Sequence, residues 1–202
     1  MDTGSECFFR YIGGDESGFD ELIHLYRESL TAFVSGYVRS RAEAEDIAAD
    51  VFVELIVHPD KFDPARGSIK TYMYSIARSR ALDFLRRIKR GNETAISTTI
   101  DCNDTILDIP DLAHPSPEAE YITREEQTER AEALRSAMAS IKEEYRTVLR
   151  LVYYENMSYS EAGEVMHKTS KQTDNLVFRA KHALKKAMSV QASDYSDKER
   201  LF

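Results

Sequence analysis

Lys171, Arg179, Lys181, Lys185 and Lys186 crowd one stretch near the C-terminal end of the chain. Cations at that density, with no nucleophile and base set beside them, hold phosphates rather than break bonds. A second stretch, residues 69–90, interleaves Lys70, Arg78 and Arg86 with Tyr72 and Tyr74. Cations that track phosphates next to rings that stack bases suit single-stranded DNA, at about 1–3 kcal/mol per stacked base. No Gly-rich phosphate loop, HExxH or GxSxG run occurs, and the carboxylates of residues 43–54 recur along one segment rather than facing another acidic set. Cys7 and Cys102 are far apart, outside any CxxC and away from clustered histidines. The chain therefore reads as a binding protein and not an enzyme, with no catalytic residue, metal or cofactor expected.

The elements that must present these cations can be read from caps and periodicity. Ser158 with Glu161, and Thr169 with Gln172, are two capping boxes, which leaves His167 and Lys168 as the connector between two helices. In the second of these helices Leu176, Val177, Ala180 and Leu184 form one apolar stripe. A short capped helix, a tight turn and a longer basic helix make the layout of a DNA-binding helix-turn-helix. Upstream, residues 19–39 are expected to be helical with Leu22, Leu25, Tyr26, Phe33 and Val34 inward. Residues 42–57 follow with Ile47, Val51, Phe52 and Leu55 inward and Glu43, Glu45, Asp46, Asp50 and Glu54 as an acidic outer face. His58-Pro59-Asp60 and Asp63-Pro64-Ala65-Arg66-Gly67 make a loop. Ser68 can cap a helix over 69–90, with Ile69, Tyr72, Met73, Ile76, Leu82 and Leu85 inward and Lys70, Tyr74, Arg78 and Arg86 outward.

Residues 91–116 are polar, acidic and aperiodic, which marks a linker. Ser116 and Pro117 open a further helix to about residue 140, and another covers about 143–155. The expected architecture is all-α: two helical domains over 1–92 and 117–190, a flexible acidic linker over 93–116, and a polar tail over 191–202. The 202 residues carry a net charge of −8, which by itself argues against nucleic acid, but the distribution reverses that argument. Residues 61–90 hold nine cations against two carboxylates, whereas 1–60 and 91–130 have net charges of −9 and −8. Such blocks suggest two nucleic-acid surfaces separated by acidic segments, which could fold back on the basic ones in the free chain. No apolar run is long enough to span a bilayer and the N-terminus is no signal peptide, so no membrane insertion and a cytoplasmic location are expected.

Three blocks resemble the bacterial sigma-70 family of RNA polymerase sigma factors, extracytoplasmic-function (ECF) type. They are Ala44-Glu45-Asp46-Ile47 with Asp50-Val51-Phe52, then Phe62 through Arg87, and then Tyr145-Arg146-Thr147-Val148-Leu149 through Ser158-Tyr159-Ser160-Glu161 to Arg179-Ala180-Lys181 and Leu184. The resemblance implies a promoter-specificity subunit in which a sigma-2 domain binds the β′ clamp helices of core RNA polymerase and melts the minus-ten element. A sigma-4 domain would read the minus-thirty-five element and hold the β flap, and an anti-sigma factor is a further partner the family admits. By position it implies polymerase binding for Glu45, Asp46, Asp50 and Phe52. It implies minus-ten contacts for Lys61, Phe62, Arg66, Ser68, Lys70, Tyr72, Arg78, Arg86 and Arg87. Ser170, Lys171, Gln172, Asp174 and Asn175, with Arg179 and Lys181, would meet the minus-thirty-five element. Gln172 and Asn175 have the donor–acceptor pair that reads adenine, and Lys171, Arg179 and Lys181 suit phosphate. The chain departs from the family pattern at Ala49, Tyr72, Ser79, Ala162-Gly163 and His167, and His167 stands where a turn glycine is usual, which predicts a left-handed residue there. The alternative, a stand-alone helix-turn-helix regulator, would need a dimerisation surface and useful DNA affinity of its own.

Overall fold

The computed structural model of the chain describes residues 2–38, 40–94 and 131–199. It begins with a helix that the sequence pattern did not announce. Helix α1 (Thr3–Ile12) starts where Asp2 accepts a hydrogen bond from the Ser5 amide, and it buries Cys7 and Phe8. Helix α2 (Ser17–Ser35) is shorter than expected, ending at Gly36, and its inward residues are Leu22, Leu30, Phe33 and Val34. Leu25 corrects the expected stripe: it is 49% exposed, because the spacing 22, 26, 30, 33 carries the buried face past it.

Helix α3 (Arg41–Val57), capped by Ser40, buries Ile47, Val51, Phe52 and Leu55 as expected, together with Ala44 and Ala48. A single 3-10 turn (Pro59–Lys61) opens the loop to α4 (Ile69–Thr94). Two caps start α4: Ser68 Oγ accepts from the Thr71 amide, and Ser5 Oγ of α1 accepts from the Ile69 amide at 3.2 Å. Helix α1 thus ties down the end of α4 that carries the basic loop.

Of the second half, the described helix α5 covers residues 131–140, and the Arg146 guanidinium donates to the Ala139 and Ile141 carbonyls at its end. Helix α6 (Glu143–Leu149) runs on into a π turn (Arg150–Tyr154), in which the Glu155 amide bonds the Arg150 carbonyl. Helix α7 (Tyr159–Met166) and helix α8 (Ser170–Glu199) complete the described residues. The expected linker 93–116 and the helix start at Ser116-Pro117 lie, but for the last turn of α4, outside the described residues. Helix α7 packs against both α8 and α4, so the buried apolar residues of the two halves form one continuous cluster.

Packing against α2 overturns one assignment on α4. Tyr74, expected on the outside, is fully buried, with its ring 4.9 Å from that of Phe33. Lys70 and Arg78, one turn to either side of it, are partly exposed, and Ala77 and Ala81 take core positions beside Ile69 and Met73.

Candidate nucleic-acid interface

Both capping boxes of the helix-turn-helix form. Ser158 Oγ accepts from the Glu161 amide while Glu161 accepts from the Ser158 amide. Thr169 Oγ1 accepts from the Gln172 amide, and Gln172 Oε1 accepts from the Thr169 amide at 2.9 Å. Between them His167 adopts φ 55° and ψ 46°, the left-handed conformation that the missing glycine predicted. Gly163 lets the turn close, since a Cβ there would meet the Lys168 carbonyl oxygen at 2.7 Å.

Thr173, Leu176, Val177 and Ala180 anchor α8 in the core. Helical spacing then sets Lys171, Asn175, Phe178 and His182 along the middle of the outward face, and all four are exposed. Ser170, Asp174 and Arg179 are exposed around them. Two expected contacts are qualified by the geometry. Gln172 folds its amide oxygen back onto the Thr169 amide, so bidentate adenine reading would require it to leave the cap. Lys181 leans to the edge of this face, its ammonium 4.8 Å from the Tyr153 ring centroid. Phe178, 72% exposed at the centre of the face, escaped the sequence reading because an aromatic in a helix pattern reads as core.

Around the N-terminus of α4 the basic loop is organised by an aromatic anchor. Phe62 is 8% exposed and packs against the rings of Phe8, Phe9 and Tyr72 at 5.6, 6.1 and 5.7 Å. Phe62 thus holds the loop in place and presents no face to a ligand, which corrects its expected role as a DNA contact. Ser68 is engaged as a helix cap, and Tyr72 is half-buried. Arg66 and Arg87 are exposed, and Arg86 bridges to Asp83 at 2.6 Å while remaining largely in solvent. Lys61 donates to Glu54 Oε1 at 2.8 Å. Lys70 donates to the Glu155 carbonyl at 2.6 Å, and its ammonium is 3.4 Å from the Glu155 carboxylate.

The acidic face of α3 splits into paired and unpaired parts. Arg80 spans Asp50 and Glu54 at 3.0 and 2.9 Å, and Arg41 pairs with Glu45 at 3.0 Å. Lys61, first by its hydrogen bond, and then the positive field of its neighbours hold the Glu54 carboxyl below its usual range. Phe52, expected to contact a partner, is 7% exposed and packs edge-on against Phe19, so it belongs to the core. In its place Val53, Ile56 and Val57 extend the exposed face beyond Asp46 and Asp50, each at least 45% exposed. An unbroken apolar run at the end of α3 hides this, since no periodicity there separates inside from outside.

Two family models match the chain, Sigma-70 region 2 over residues 22–91 and Sigma-70 region 4 over 131–184, and between them they take in α2 to α4 and α5 to α8. The chain belongs to the sigma-70 family. Its curated relatives include the ECF RNA polymerase sigma factor SigM of Bacillus subtilis, 26% identical over 82% of this chain and 92% of the relative. The ECF sigma factor SigW of the same organism is 24% identical over 87% of this chain and 91% of its own length. Two solved structures share the fold: the sigma factor RpoE in complex with the anti-sigma factor NepR from Bartonella quintana, and CnrH in complex with the cytosolic domain of CnrY. Their TM-scores are 0.64 and 0.61, both at 17% identity, over 85% and 94% of this chain and 97% and 99% of theirs. This sigma factor is of the ECF type, a subunit that binds core RNA polymerase and directs transcription initiation at promoter DNA. A stand-alone regulator would account for the region 4 match and leave region 2 without a purpose. No described helix of the sigma factor is long and apolar enough to cross a membrane.

Proposed function

We propose that this sigma factor divides promoter recognition between the outer face of α8 and the loop and first turns of α4, with residues 1–92 and 117–190 as the working domains. The observation that carries the reading is the outward face of α8. There Lys171, Asn175 and Phe178 are exposed together behind a fully capped turn, which is the presentation a major groove needs. Asn175 is the residue with both hydrogen-bonding groups for an adenine edge, Phe178 offers its ring to a thymine methyl, and Lys171 and Arg179 fix position on phosphates. Arg66, Tyr72, Arg86 and Arg87, with Lys61 and Lys70 once released from their carboxylates, would hold the melted minus-ten strand.

Core polymerase would be engaged through Glu45, Asp46 and Asp50 together with the apolar ridge Val53, Ile56 and Val57, which suit the β′ clamp helices. The apolar groove of about 460 Å³ lined by Ile141, Tyr145, Ala183 and Ala187 suits the β flap. The RpoE structure with this fold holds the anti-sigma factor NepR, and a partner of that kind, acting in the cytoplasm where polymerase is, belongs to the same reading. The subunit would supply recognition only, with bond-making left to polymerase. Reconstitution with core RNA polymerase, followed by mapping transcript starts on genomic DNA, tests this: discrete starts behind a shared two-block motif are expected. Failure to associate with core, alongside polymerase-free duplex binding, would overturn it.

A further inference from the structure

Lys61, Lys70, Arg80 and Lys168 are each held by a carboxylate, which neutralises much of the charge it fixes. Lys181 of α8 is held differently. Among the described residues no carboxylate pairs with it, and its ammonium lies 4.8 Å from the Tyr153 ring centroid. The Tyr153 side chain, first by hydrogen bonding, holds the Lys181 ammonium above its ordinary range, and Tyr159, the first residue of α7, adds to the effect. An aromatic face attracts a cation without cancelling its charge. Lys181 is therefore fixed in place and still free to pair with an anion.

Tyr153 owes its position to the π turn. A π turn holds an extra residue, and such insertions are frequent at functional sites. Here Leu151 stays in the core while Tyr153, two residues on, is 53% exposed and reaches α8. A ring with half its surface in solvent and a lysine against it contributes little to the core. In a helix-turn-helix the second helix lies in the groove while the first crosses the DNA backbone. Lys181 leans from the second helix toward the residues that lead into the first, so its ammonium stands on the phosphate side of the α8 face.

We propose that Tyr153 is a positioning residue for promoter DNA, holding Lys181 at the edge of α8 so that its ammonium meets a backbone phosphate bordering the groove. This role deepens the assignment of α8 to duplex DNA and rests on it. A long side chain ordered before binding loses less freedom when the contact forms, which should tighten binding about threefold.

The test is fluorescence anisotropy of a labelled mapped promoter with the reconstituted holoenzyme, over a series of salt concentrations. The sigma subunit carries Y153F, Y153L, K181A, or Y153L and K181A together, and circular dichroism establishes folding. K181A should lower the salt slope of binding by about 1, because one phosphate contact is lost. Y153L keeps apolar bulk but removes the ring, and should weaken binding about threefold in the wild-type background and not at all beside K181A. Y153F restores the aromatic face and should recover most of the affinity. A purely structural Tyr153 would accept leucine as readily as phenylalanine, and equal affinities of these two variants would overturn the proposal. So would an unchanged salt slope in K181A, or an equal effect of Y153L with and without Lys181. If K171A and F178A also leave promoter binding unchanged, the assignment of α8 to duplex DNA has failed, and the role of Tyr153 falls with it.

Discussion

Replacing Phe178 by alanine isolates the one feature of the α8 surface that the sequence did not bring forward. The side chain is 72% exposed, so the folded chain loses little packing when it is removed, and stability should stay within about 0.5 kcal/mol of wild type. What is lost is area for the groove floor. A phenylalanine covers on the order of 200 Å² when fully buried, and with 72% of it exposed roughly 140 Å² remains to be covered by DNA. At about 25 cal/mol per Å², full coverage would contribute roughly 3.5 kcal/mol, and contact from one side about half of that. The expected loss is then about 1.7 kcal/mol, somewhat more than tenfold in affinity. The assay is holoenzyme binding to a mapped promoter, repeated with each thymine of its minus-thirty-five block replaced by deoxyuridine, which deletes only the methyl group. Wild type should lose affinity at one or two of these positions, and F178A should be indifferent to the same replacements. Equal affinity of F178A and wild type, with no response of wild type to deoxyuridine, would refute the assignment of the ring to a base methyl.

Lys171→Ala should weaken binding to all promoters alike and lower the salt slope of binding by about 1, since a phosphate contact carries no sequence information; a change in sequence preference would contradict that role. His167→Gly removes the Cβ from a left-handed residue and should raise the unfolding midpoint in urea by an amount worth about 0.5–1 kcal/mol, the relief of strain less the added entropy of glycine. Glu54 has its carboxyl held below the usual value by Lys61 and Arg80, so its contribution is present above the ordinary carboxylate range and is lost as pH falls through the depressed value. Glu54→Gln should therefore flatten the acid limb of a urea midpoint against pH, by a small and salt-sensitive amount because the pair is exposed to solvent.

Local chemistry in the chain was enough to determine the helix-turn-helix. Ser158 with Glu161, and Thr169 with Gln172, satisfy orphan amides within three residues of themselves, so their caps can be read without knowing what packs on them. The left-handed turn at His167 was expected instead from the family resemblance, in which a glycine is usual at that place. The charge blocks suggested two nucleic-acid surfaces, and the resemblance of the three motif blocks carried the sigma reading.

Only the tertiary structure decided which of these residues are available. Phe62 looks like a binding residue in the motif, but a neighbour distant in sequence, Phe8, turns it into core. Helix α1 has no place in the matched family regions, and it matters because Ser5 reaches the start of α4, a contact across a long sequence separation. The outward stripe Lys70, Tyr74 and Arg78 is a solvent face of α4 taken alone, and periodicity can report no more than that. Its exposure depends on what packs against it: Phe33 of α2 meets Tyr74, and Glu155 of the helix-turn-helix half meets Lys70. Helix caps and stripes are short-range and can be read from sequence, whereas the exposure of a face depends on what the rest of the chain lays against it.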